Sequence, residues 1–97
     1  MSTPSPFDQR AVLGAAEACE RAASRVGVTA EQVAASGRRA RGSWSGADAD
    51  EFGRQLSAFE GRCAQGQRDL QRFAGALREA SDIARRAATA AHRAPDQ

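Results

Sequence analysis

Two runs of apolar residues, spaced alternately four and three apart, limit what this chain can fold into. The first takes Val12, Ala16, Cys19, Ala23, Val26, Ala30, Val33 and Gly37. The second takes Ala49, Phe52, Leu56, Phe59, Cys63, Gly66, Leu70, Phe73, Leu77, Ala80, Ala84, Ala87 and Ala91, six heptads without a slip. Such steps gather side chains on one side of an α-helix and would scatter them over both faces of a strand. The spacing therefore predicts two long helices, over about 7–40 and about 47–92 of a single 97-residue domain. At ~1.5 Å per residue they would run ~50 Å and ~70 Å.

Composition agrees with that reading. Alanine supplies 23 residues, and all 14 basic residues are arginine; both types favour helix. Between the runs lies Gly37-Arg38-Arg39-Ala40-Arg41-Gly42-Ser43-Trp44-Ser45-Gly46. Its glycines break helix propensity, and its arginines suit a helix C-terminus, where cations meet the negative end of the dipole. Ser45 with Asp48 resembles a capping arrangement, and Asp48, Asp50 and Glu51 load the next first turn with acid. A turn at 41–46 between long helices gives an all-α antiparallel hairpin. Gly27-Val28-Thr29 is the weak point of the first helix, but the apolar phase crosses it unchanged, so that helix should be continuous or mildly kinked. Glu17 with Arg21, Asp50 with Arg54 and Asp82 with Arg86 stand at favoured helical spacing on solvated faces.

The first seam is small (Ala16, Ala23, Ala30, Gly37) and the second large (Phe52, Leu56, Phe59, Leu70, Phe73, Leu77). Small against large would let the helices approach closely. A lone hairpin of this size leaves one side of its apolar surface open. With the turn centred near residue 42, Ala80 to Ala91 would also overhang, and Ala74, Ala76, Ile83, Ala88 and Ala90 would widen the seam there into a face. A second hairpin completing a four-helix bundle dimer is the expected remedy, since the hairpin alone should be marginal. The expected bundle core is Val12, Ala16, Ala23, Val26, Val33, Phe52, Leu56, Phe59, Leu70, Phe73, Leu77 and Ile83. Mirrored about residue 42, Cys19 falls opposite about residue 65, which puts a disulfide to Cys63 within geometric reach; two small buried thiols are the alternative.

Several function classes receive little support. One histidine (His92), two distant cysteines and no glycine-rich phosphate loop offer neither a nucleophile–base pair nor a ligand cluster, so neither enzyme chemistry, metal nor cofactor is expected. No apolar run approaches the ~18 residues of a membrane span, and Met1 to Phe7 is too polar for a secretory signal peptide. A net charge of +2 is a weak field. Arg38, Arg39 and Arg41 would make only a few phosphate contacts, with no further basic stripe, so nucleic acid is not an expected partner. An intracellular coiled-coil adaptor fits the pattern without invoking the turn.

Trp44-Ser45-Gly46 lies near the midpoint between two heptad helices in a chain of about a hundred residues, with Phe52 the first large core residue after it. In these features, over about residues 7–92, the chain resembles the Trp-X-Gly (WXG) family of small type VII secretion substrates, the early-secreted-antigen-like or Esx proteins. The resemblance implies a hairpin that pairs with a like hairpin and leaves the cytoplasm as a folded dimer, without a cleaved signal peptide, to become extracellular or surface-bound. Its partners would then be another such hairpin and the secretion machinery. Trp44 and Gly46 match the family's motif positions, and Trp44 would plug the bundle end and help form an export surface. Exported members carry Tyr-x-x-x-Asp/Glu after the second helix. This chain has no tyrosine, and His92-Arg93-Ala94-Pro95-Asp96 keeps only the spacing, with Pro95 against helical geometry. The resemblance then favours a heterodimer whose partner supplies the motif, or a non-exported chaperone-like adaptor for a larger effector. Export would expose the cysteines to oxidising conditions.

Overall fold

A computed structural model gives the fold and describes residues 8–93. The expected disordered tails, Phe7 and Asp96 lie outside that range. Helix α1 spans Gln9–Gly42 and α2 spans Ala47–Arg93. They pack against each other as a hairpin with extents of 79 × 22 × 19 Å. α1 runs unbroken through Gly27-Val28-Thr29. Its start is fixed by Asp8, whose carboxylate accepts a hydrogen bond from the Ala11 amide at 3.0 Å and so satisfies one of the free N–H groups of the first turn. No helix among the described residues is long and apolar enough to cross a membrane.

The buried seam is made of small residues on both sides. Ala16, Ala23, Ala34 and Gly37 of α1 meet Ala49, Ala74 and Ser81 of α2, all nearly inaccessible to solvent. The large side chains expected to fill these layers do not do so. Val12, Val26, Phe52, Leu56, Phe59, Leu70 and Leu77 are half-buried, and Val33, Phe73 and Ile83 are exposed. Backbones lined with Ala and Gly leave little room between them, so Leu56 reaches in only against Gly37 while Phe52, Phe59 and Phe73 turn to the flank. Gly37 marks the tightest point, since an added Cβ would stand 2.8 Å from Leu56 Cδ2. At Gly27 the Gln67 amide fills the space and donates to the Ala23 carbonyl at 3.0 Å.

Gly27 against Gln67 and Gly37 against Leu56 centre the hairpin near residue 47, not 42. Three expectations change with this shift. First, the overhang is shorter: Arg78 reaches Glu20, Ser81 is buried, and the uniformly exposed stretch begins only at Arg85. Second, Cys19 comes level with about residue 75, about 18 Å along the axis from Cys63. A disulfide needs Cα atoms within about 7 Å, so Cys19 and Cys63 stand as free, half-buried thiols. Third, helix α2 is preceded by Gly46 at φ 101°, whose carbonyl accepts the first helical bond from the Asp50 amide at 3.0 Å; the Ser45–Asp48 cap does not form.

The ion pairs also differ from the expected set. Arg54 turns back to Glu51, Arg85 to Asp82 and Arg72 to Asp69, each three residues apart. Asp50 is taken across the turn by Arg41 at 2.7 Å, which removes it from Arg54. Ser81 Oγ, on a nearly inaccessible residue, has no hydrogen-bond partner. Substitutions at these two seam positions should move stability in opposite directions in a thermal melt followed by circular dichroism. Gly37→Leu overpacks the closest approach and should cost about 1–3 kcal/mol. Ser81→Ala removes an unsatisfied buried hydroxyl and should gain about 1 kcal/mol.

Candidate functional site

Because the small residues take the seam, the large ones share one side of the hairpin. Near the turn, Val33, Gly37 and Ala40 of α1 and Phe52, Leu56 and Phe59 of α2 line a single open groove. Farther along, Val26 and Ala30 line the next stretch with Phe59 and Cys63. The seven-residue steps from Cys63 to Leu70 to Leu77, and from Gly66 to Phe73, carry the same line toward the open end. Of the expected core, Ala16 and Ala23 belong to the closed seam. Val12, Val26, Val33, Phe52, Phe59, Leu70, Phe73 and Leu77 fall on this face, and Leu56 stands between face and seam. Ile83 does not join it, being six residues past Leu77 and so about 120° round the helix.

The opposite side is polar. Gln67 lies there with Glu31, Arg38 and Glu60, and Arg38 approaches Glu60 at 3.5 Å. Toward the open end Arg78 grips Glu20 with two hydrogen bonds, 2.6 and 3.2 Å. This hydrogen bond, with the arginine's charge, holds the Glu20 carboxyl below the usual carboxylate range and raises the Arg78 guanidinium, to which Glu17 adds its field. Asp69 is likewise lowered, first by the hydrogen bond from Gln65 and then by Arg72. All three groups are solvated, so they set the polarity of the back and rims more than the stability of the fold.

The turn beside the groove is held by one arginine. Arg41 donates through Nη1 to the Trp44 carbonyl at 2.8 Å and through Nη2 to Asp50 Oδ1 at 2.7 Å, while its own carbonyl accepts from the Trp44 amide at 3.1 Å. Trp44 thereby lies over Phe52, ring centroids 5.6 Å apart and planes tilted by 43°, a favourable aromatic geometry. Trp44 remains 43% exposed and so covers the turn end of the hairpin only in part. Of the three turn arginines, Arg38 and Arg41 are paired with acids and Arg39 donates to Ser36 Oγ at 3.2 Å.

Among the described residues no group of three or more His, Cys, Asp or Glu side chains converges as a metal site would require, and His92 is exposed in the last turn of α2. The arrangement offers an apolar surface with a fixed aromatic end and no assembled chemistry. The clasp by Arg41 was missed in the sequence, where the arginines read only as helix-end charges; the acid at Asp50, nine residues on, was the available signal. Gly46 holds a φ that a side chain rarely adopts. Gly46→Ala should therefore cost about 1–2 kcal/mol and loosen the Trp44–Phe52 contact, read as a blue-to-red change in tryptophan emission at temperatures where circular dichroism still reports full helix.

Compared with family models, curated proteins and solved structures, the chain matches none.

Proposed function

We propose that this chain is a small secretion partner of the Trp-X-Gly, type VII kind. In this reading it carries no catalysis of its own and acts by association. Its apolar face packs on a like hairpin to complete a four-helix bundle, and the folded pair is exported without cleavage of a signal peptide. The observation that carries the reading is the placement of Trp44-Ser45-Gly46 at the end of a continuous apolar face on a two-helix hairpin. A self-contained hairpin has no use for that face, and among the described residues no group of three or more His, Cys, Asp or Glu side chains gives a metal reading a start. Since the chain has no tyrosine, the tail motif that the resemblance calls for is supplied by a protein exported with it.

Export tests this directly. In a host with type VII machinery, the intact 10.2 kDa chain should appear in the culture medium, and it should stay in the cells when that machinery is inactivated. Trp44→Ala should cut the exported fraction at least tenfold while the cellular level holds. A chain retained in both hosts, or released equally from both, overturns the secretion reading.

A further inference from the structure

The open groove beside the turn is apolar along its floor and positively charged at one end. Val33, Phe52, Leu56 and Phe59 supply the floor, and Arg62 is the one charged residue along this stretch. Arg25 borders the next stretch, which shares Phe59. No acidic side chain lines either of them, whereas the polar back of the hairpin carries Glu31 and Glu60. Arg41 is taken by Asp50 at the turn, and Arg38 by Glu60 on the back. Arg25 and Arg62, among the described residues, have no ion-pair partner.

We propose that this groove binds a free long-chain fatty acid, its carboxylate at Arg62 and its tail running to Phe52. The charges are complementary, and a guanidinium offers a planar fork that matches the two oxygens of a carboxylate. Length agrees as well. Ten residues of helix separate Phe52 from Arg62, about 15 Å along the axis. An acyl chain in one bilayer leaflet covers the same span, half of the ~30 Å hydrocarbon core. The stretch beside the turn has a volume of about 690 Å³, within the ~300–1,000 Å³ of small-ligand sites.

The groove also has a direction. At the turn end the tail meets an aromatic wall, Trp44 lying over Phe52. Toward the middle of the hairpin the positive charge accumulates. Arg25, level with about residue 69, stands about 10 Å beyond Arg62 and adds its field to the same end. An acid entering the other way round would place its carboxylate against the phenylalanines and its tail beside the arginines. The proposal needs neither export nor a partner hairpin, since it concerns the face while it is open.

Myristate titrated into the full chain, followed through Trp44, the single tryptophan, tests this. Binding should saturate with a Kd of about 100 µM or tighter, the strength of one myristoyl chain's reversible burial. Myristate brominated at the tail end should quench Trp44 at least threefold more than myristate brominated beside the carboxylate. Tetradecyl maltoside, with the same tail and a neutral head, should bind at least fivefold more weakly. Arg62→Gln should weaken myristate about fivefold and leave the maltoside unchanged. Val33→Glu, at an exposed floor position clear of the seam, should weaken myristate at least tenfold, with circular dichroism confirming that both variants keep their helix. Absent saturation, reversed quenching, equal affinity for the maltoside, or binding to phosphatidylglycerol vesicles with none to dispersed myristate overturns the proposal. A chain that binds myristate and is never exported removes only the secretion reading, and an exported chain that ignores myristate removes only this one.

Discussion

The close approach of two helix backbones along an alanine–glycine seam governs the rest of this structure. Ala16, Ala23, Ala34 and Gly37 on one side, and Ala49, Ala74 and Ser81 on the other, leave room for little more than methyl groups. Dispersion contacts between such backbones are numerous and well ordered, but the apolar area they remove from water is small. Leu56 against Gly37 and the Gln67 amide over Gly27 then act as register marks, one steric and one polar. Sliding either helix would drive a side chain into a backbone or strip the half-buried Gln67 amide of its acceptor.

That economy of size has a consequence on the surface. Large apolar residues that cannot enter the seam still follow its heptad phase, so they line up along one flank, from Phe52 by the turn to Leu77 toward the open end. Arg62 and Arg25 border this flank, and the interhelical ion pairs fall elsewhere. Glu20–Arg78 and Arg38–Glu60 bridge the helices on exposed ground and contribute little energy. The hairpin is therefore asymmetric about its own seam, and its greasier side faces outward.

Much of the architecture was legible in the sequence, and its failures share one origin. Six unbroken heptads, abundant alanine and the glycine-bearing arginine cluster specify two helices and a turn, within two or three residues of the observed ends. Heptad phase, however, marks an apolar side about two residues wide and does not say which half of it faces the neighbouring helix. The half with Ala16 and Ala23 closed against α2, while the half with Val26 and Val33 opened to solvent. Register was equally hidden. It depends on Gly27 and Gly37 fitting particular side chains, and a five-residue error in the centre of the hairpin was enough to bring Cys19 falsely level with Cys63. The turn was half legible: Trp44 and Gly46 stood out by type, but the Arg41 clasp joins groups nine residues apart and exists only once both helices are in place.

The same asymmetry divides the apolar residues into two sets. Within one chain the fully buried side chains are mostly methyls, whereas Phe52, Phe59, Leu70 and Leu77 are half-buried and Phe73 is exposed. The internal seam therefore sets the geometry, and the flank keeps the apolar surface that the seam could not take. Turn, seam and face then form a causal order: Arg41 and Gly46 fix the reversal, the reversal fixes the register, and the register decides which large side chains the seam excludes.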